Sequence, residues 1–129
     1  IIRGKEFGET VVLWGDGYQK RELVFVKDFV DILLYLSDNV KNDIVNIGGG
    51  TEHTIREFAE TICRIIGYDA SLIQYDTTKY TGAKSKFLSI EKLKGIYPGL
   101  KFTPLQAGLE NTIKWFYTHK AYIPHELVS

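Results

Sequence analysis

The chain has 129 residues, 44% of them hydrophobic, and its 16 Lys and Arg balance 16 Asp and Glu to a formal net charge of zero. That length suits a single domain, and the apolar content suffices for a core, which excludes a disordered or low-complexity chain. Charge balance argues against a nucleic-acid partner, and no apolar run approaches the ~20 residues that a membrane-spanning helix needs.

Residues 11–14, Val-Val-Leu-Trp, give the first strand pattern, closed by the turn residues Gly15-Asp16-Gly17. A second apolar run, Leu23-Val24-Phe25-Val26, follows. From Asp28 to Tyr35 the periodicity turns helical, with Phe29, Val30, Ile32, Leu33 and Leu36 on a broad apolar face. Residues 38–43 are polar and predict a loop, and Ile44-Val45-Asn46-Ile47 predicts a short buried strand entering Gly48-Gly49-Gly50. The clearest helix spans residues 54–66. Thr54 and Glu57 fit a capping box, in which each side chain satisfies a free backbone N–H at the helix start. Ile55, Phe58, Ala59, Ile62, Cys63 and Ile66 fall at helical spacing, and Gly67 supplies the stop.

Residues 72–75 predict another strand, 76–85 a polar loop, and 86–89 a further extended stretch. Ser89 is placed to cap a short helix through Lys94. Thr103-Pro104-Leu105-Gln106 opens the last helix with a second capping box and an early proline. Leu105, Leu109, Thr112, Ile113 and Phe116 form its buried face. Strands alternate with helices, so the class is α/β. The few helices and short strands suit one part of a larger α/β protein better than a complete doubly wound sheet. The chain has no methionine and opens at Ile1-Ile2-Arg3-Gly4, which reads as a piece cut from a longer protein.

Several motifs carry chemistry on paper. Glycines before a helix can cradle a phosphate. At Gly48-Gly49-Gly50, however, a dinucleotide fingerprint needs a further glycine where His53 stands, and a Walker loop needs a Gly-Lys-Ser/Thr that is absent. A tight strand-to-helix turn is the better reading. Tyr75-Asp76-Thr77-Thr78-Lys79 matches Tyr-x-x-x-Lys, a pair in which lysine lowers the phenol pKa for proton transfer. That pair works on a helix face, whereas Asp-Thr-Thr is a poor helix interior and Tyr75 ends a strand pattern. It is a decoy on this reading.

The stretch Trp14-Gly15-Asp16-Gly17-Tyr18-Gln19-Lys20-Arg21-Glu22 admits two readings. A large aromatic before a glycine turn and a guanidinium fork after it could clamp a planar ring and an adjacent phosphate. Equally, it could be a surface hairpin with a core Trp and a solvated Lys-Arg pair. The single cysteine, Cys63, lies on an apolar helix face and reads as core, which excludes a disulfide framework and a cysteine-based zinc site. His53, His119 and His125 lack metal-like partners nearby, so no metal site is expected. With no leader pattern at the start, the setting reads as reducing and cytoplasmic.

Taken in order, several stretches resemble one family. They are Val12-Leu13-Trp14-Gly15-Asp16-Gly17, then Lys20-Arg21-Glu22-Leu23-Val24-Phe25-Val26-Lys27-Asp28, then Asn46-Ile47-Gly48-Gly49-Gly50 with Thr54-Ile55-Arg56-Glu57-Phe58-Ala59. Tyr75-Asp76-Thr77-Thr78-Lys79, Gly82, Lys86 and Leu105-Gln106-Ala107-Gly108-Leu109 before Trp115-Phe116 complete the set. The sequence resembles the C-terminal part of an extended short-chain dehydrogenase of the NAD-dependent epimerase/dehydratase family, with the strongest likeness to the GDP-L-fucose synthases. This implies a substrate lobe plus the last Rossmann-type strand and helix, and not a complete dinucleotide-binding domain.

The resemblance also implies a division of labour. The NAD(P) loop, the catalytic Ser, Tyr and Lys, and the Cys and His of epimerisation all precede this segment in the family. No catalytic, cofactor-binding or metal-binding residue is therefore expected here, and Cys63 and His53 match none of those positions. Trp14 and Arg21 match residues that contact the nucleotide sugar. Where fucose synthases read Asp-x-Ser-Lys-Pro-Asp-Gly, this chain reads Asp76-Thr77-Thr78-Lys79-Tyr80-Thr81-Gly82, with Thr81 for a substrate-contacting aspartate. Threonine carries no charge and reaches less far, so the preferred base or sugar would differ.

The implied partners are a nucleotide-diphosphate sugar and an N-terminal Rossmann half of the same protein, with a homodimer of the parent built outside this segment. The fragment alone would be inactive. Two alternatives stay open at this point: a stand-alone module that binds a nucleotide or nucleotide sugar, and a structural domain with degenerate sites.

Overall fold

The computed structural model of the chain describes residues 1–119, so His125 lies outside the described residues. The elements run α1 (Ile2–Phe7), β1 (Val12–Trp14), β2 (Lys20–Arg21), α2 (Val26–Asn39), β3 (His53–Thr54) and α3 (Ile55–Ile66). They continue with a short 3-10 turn (Ala70–Leu72), β4 (Gln74–Asp76), β5 (Ser85–Lys86), α4 (Glu91–Ile96) and α5 (Leu105–His119). The expected α/β class holds.

The strands form two small sheets. β1 and β4 pair in parallel with Trp14 opposite Asp76, while β2 lies between β3 (antiparallel) and β5 (parallel). β1 and β2 do not pair with each other, so the glycine turn is not the tip of a hairpin. Two apolar clusters hold the layers. Ala59 and Cys63 of α3 pack on Val11 and Ile73 beside the β1–β4 pair. Ile32 and Leu36 of α2 pack on Ile90 and Leu93 around α4.

α3 follows from its local sequence. Glu57 N–H donates to Thr54 Oγ1 at 3.0 Å, Thr54 N–H donates to Glu57 Oε2 at 2.6 Å, and Gly67 closes the helix at φ 69°. Elsewhere the structure corrects the sequence reading. Ile44–Ile47 forms no strand. Val45 and Ile47 pack against the second cluster while Ile44 is 86% exposed, because no described strand lies alongside to take its ladder bonds.

The run at residues 23–26 is not a strand either, since its last residue already begins α2. That helix extends four residues past Tyr35, through Asn39. Of its apolar face only Ile32 and Leu36 are buried, leaving Val26, Phe29, Val30 and Leu33 exposed along one stripe. The strand placed at 72–75 starts two residues later, after the 3-10 turn that Asp69 caps through Ser71 N–H. The extended stretch at 86–89 reduces to β5.

Two expected caps are absent. α4 starts after Ile90 with no side-chain cap, not at Ser89. At α5, Thr103 directs both its N–H and its hydroxyl to Asp28, at 2.6 and 2.8 Å, and Gln106 turns to Glu110. The Thr103 N–H thus goes to a tertiary carboxylate and not to the Gln106 side chain that a capping box would offer it. On the buried face of α5, Gly108 and Ile113 are buried, whereas Thr112 is exposed. α1 had no sequence signature; its Gly4 is buried because a side chain there would collide with Val11.

Replacing Thr54 with Ala should lower stability by about 1 kcal/mol, the usual worth of such a cap. Glu57, hydrogen-bonded to Thr54, has its carboxyl held below the ordinary range by those bonds. Its contribution is therefore present above the unfolded value and lost as pH falls through the lowered folded one. Urea melts should show the Thr54→Ala loss at neutral pH, while a Glu57→Ala variant should differ from the parent at neutral pH and approach it in acid; a Glu57→Ala gap equal at all pH values would contradict the carboxylate half of the capping box.

Candidate functional site

The site is built on the turn after β1. Gly15 and Gly17 both have positive φ, 85° and 81°. Any side chain at Gly15 would collide with the Gln19 amide and the Thr81 methyl, and one at Gly17 would lie 2.6 Å from the Tyr75 ring. The glycines therefore let two other segments close on the turn. Gly15 N–H donates to Asp76 O at 2.8 Å, and Asp16 Oδ1 accepts from Tyr18 N–H at 2.9 Å.

Arg56, at the start of α3, secures the far side. Its N–H donates to Gly17 O, its Nη2 donates to Asp16 O at 3.0 Å, and its guanidinium lies 4.0 Å from the Tyr75 ring centre and 5.1 Å from that of Tyr18. Arg56 carries no signal of this role in the sequence, because the sandwich depends on Tyr18 and Tyr75 arriving from separate elements. Burial pushes the Tyr75 phenol above its ordinary value despite the opposing pull of Arg56. A proton-relay tyrosine needs the reverse shift. Lys79 sits in the turn past β4, not on a shared helix face.

Arg21, on β2, secures the near side. Its Nη1 donates to Lys20 O at 2.6 Å and Ala83 O at 2.9 Å, and its Nη2 donates to Thr81 O at 3.3 Å. Trp14 and Tyr18 are exposed at 65% and 64%, so Trp14 is not the core residue of the hairpin reading. Trp14, Arg21 and Thr81 thus meet around one turn. Lys20, Lys84 and Lys86 are exposed on the same small sheet or just before it and form no salt bridge among the described residues. The nearby Glu22 carboxylate is occupied, accepting from Gly49 N–H and Leu88 N–H at 2.8 Å each.

That last contact tests the glycine loop against a dinucleotide. The Gly49 amide already faces a carboxylate, and the Gly48 face lies against the same group. A phosphate placed there would meet negative charge instead of free donors, so these residues do not fit the pyrophosphate of NAD(P). Cys63 is buried, and burial raises its thiol pKa, as for an inert core cysteine.

Comparison with known proteins bears on the whole. The model of the NAD dependent epimerase/dehydratase family matches residues 1–48. Over 112 residues the chain is 38% identical to GDP-L-fucose synthase 1 of Arabidopsis thaliana, covering 84% of this chain and 33% of that protein. It is 33% identical over 120 residues to a dTDP-4-dehydro-6-deoxy-D-allose reductase of Streptomyces sp, covering 93% and 36%. Its fold superposes with a TM-score of 0.86 on a GDP-L-fucose synthetase from Naegleria fowleri bound to NADP, at 22% identity, covering 93% of this chain and 38% of that one. The chain thus spans about a third of the length of the curated relatives it matches.

Gly15→Ala should destabilise the turn on two counts. The left-handed backbone costs roughly 1–2 kcal/mol for a residue with a Cβ, and displacing Gln19 and Thr81 adds about 1–3 kcal/mol of overpacking. Chemical denaturation should show the loss; an unchanged midpoint would contradict the packing of Thr81 on the turn.

Proposed function

We propose that the chain, which has the sequence and fold of part of an extended short-chain dehydrogenase of the NAD-dependent epimerase/dehydratase family, is the C-terminal, nucleotide-sugar-binding portion of a nucleotide-sugar epimerase or reductase. The parent would be an NAD(P)-dependent, cytoplasmic enzyme of the GDP-L-fucose synthase kind, acting in the synthesis of an activated deoxysugar. The observation that carries this reading is the bond from Arg21 to the Thr81 carbonyl, with the Thr81 methyl against Gly15 next to the exposed Trp14, which brings together segments sixty residues apart.

Each residue has a role its chemistry permits. The exposed Trp14 ring offers a flat face to a base. A guanidinium has five N–H donors, and Arg21 directs three bonds at carbonyls, which leaves Nε–H and one Nη2–H for a diphosphate. Lys20, Lys84 and Lys86 raise the local positive potential and draw an anion in. Thr81 offers a short, neutral hydroxyl where the family pattern has aspartate, so the preferred base or sugar departs from that of GDP-L-fucose synthases.

When bound, the nicotinamide cofactor supplies hydride transfer at a sugar carbon. The residues described here bind and orient the nucleotide sugar. The cofactor loop and the proton-relay residues belong to the part of the family fold that this chain does not cover, so this portion alone is inactive. The exposed stripe of α2 and the apolar groove of about 290 Å³ beside Phe25, Leu105 and Leu109 would pack against that N-terminal half.

In the full-length protein, Arg21→Ala should raise KM for the nucleotide sugar about ten- to a hundredfold, the worth of a charge-assisted fork, with NAD(P)H affinity unchanged. Arg21→Lys should recover only part, since an ammonium lacks the planar fork. Unaltered steady-state kinetics would retire the clamp. Tyr75→Phe should keep most of the turnover. A fall of the 10²–10⁴-fold order expected on losing a general acid–base group would make Tyr75 a relay residue after all.

A further inference from the structure

Tyr80 is the most exposed large hydrophobic side chain among the described residues, at 91%. Single exposed apolar residues are ordinary. Tyr80 is not scattered, however: it joins Trp14 and Tyr18, exposed at 65% and 64%, around one turn. Tyr18 has the Arg56 guanidinium over its ring, whereas Trp14 and Tyr80 make no ring or cation contact among the described residues.

The backbone fixes how these two relate. The Thr81 methyl packs on Gly15, so Trp14 and Tyr80 each directly precede one member of a single contact. The loop is anchored on both sides of Tyr80. Asp76 Oδ1 accepts from Thr78 N–H and Oγ1–H, at 3.0 and 2.6 Å, and Arg21 holds the carbonyls of Thr81 and Ala83. Two unpartnered aromatic side chains therefore leave the backbone at one junction, beside the Arg21 guanidinium.

We propose that Tyr80 is a binding residue: with Trp14 it forms a two-sided aromatic clamp on the planar base of a nucleoside diphosphate whose phosphates lie at Arg21. This rests on the nucleotide-sugar reading above and adds Tyr80 to the residues that would hold the nucleotide. Stacking tolerates any base, because each presents a π face. The clamp therefore supplies affinity without fixing guanine, uracil or thymine.

The test measures binding of GDP, UDP and dTDP, and separately of inorganic pyrophosphate, to the full-length protein and to its Tyr80→Ala and Tyr80→Phe variants. Exposure makes misfolding of either variant a minor concern. Tyr80→Ala should weaken all three nucleotides roughly ten- to a hundredfold and leave pyrophosphate unchanged, while Tyr80→Phe keeps nucleotide affinity. Equal nucleotide affinity in Tyr80→Ala, with the wild type binding well, would overturn the clamp and leave the nucleotide-sugar reading standing. A loss in Tyr80→Phe equal to that in Tyr80→Ala would replace stacking by a hydroxyl contact and also overturn it. Failure of the wild type to bind any of the three nucleotides would overturn both.

Discussion

Two neighbouring side chains of opposite charge hold together a region that backbone pairing alone would leave loose. β2 is two residues long, too short for its ladder bonds to fix the loops beside it. Arg21 reaches forward to the carbonyls of Thr81 and Ala83, and Glu22 accepts the amides of Gly49 and Leu88. Each bond joins an ionised group to a backbone dipole, roughly twice as strong as a neutral pair. The Arg21 fork sets where Thr81 and Tyr80 stand; the Glu22 carboxylate sets where the glycine loop ends. The same Arg21 bonds restrict its rotamer before any ligand arrives, which removes part of the ordering cost of binding.

That arrangement separates two functions that glycine-rich sequence alone confuses. The turn at Gly15 and Gly17 is open to solvent through Trp14 and Tyr18 and ringed by cations. The loop at Gly48-Gly49-Gly50 is closed by a carboxylate and packs on Ile90 through Gly50. Structural turning therefore belongs to the second, and the proposed anion recognition to the first. Tyr75 and Lys79, which imitate a catalytic pair in sequence, are divided between a half-buried ring under Arg56 and an exposed turn.

How much was legible in the sequence follows from how local each feature is. The capping box and glycine stop of α3 are made by residues within one turn of each other, and both appear as read. Ile44–Ile47 has the composition of a strand, but a strand exists only with a neighbour to take its ladder bonds, and none is described there. Thr103 has a capping sequence, but its N–H and hydroxyl both go to Asp28, seventy-five residues away in the chain. β2 is charged and two residues long, below any periodicity. Trp14 and Arg21 are candidates from the residue pattern around the glycine turn and Thr81 from the family resemblance alone, whereas the Arg56 sandwich needs the tertiary positions of Tyr18 and Tyr75.

The central claim is that Arg21 shares its guanidinium between the loop at residues 81–83 and a diphosphate. A crystal structure of the full-length protein with a nucleoside diphosphate sugar tests it directly. The account predicts phosphate oxygens within hydrogen-bond distance of Arg21, the base against Trp14, and the Thr81 and Ala83 carbonyls still bonded to the same guanidinium. Phosphates seated instead on the Gly48-Gly49-Gly50 amides, with Arg21 bonded only to carbonyls, would contradict it.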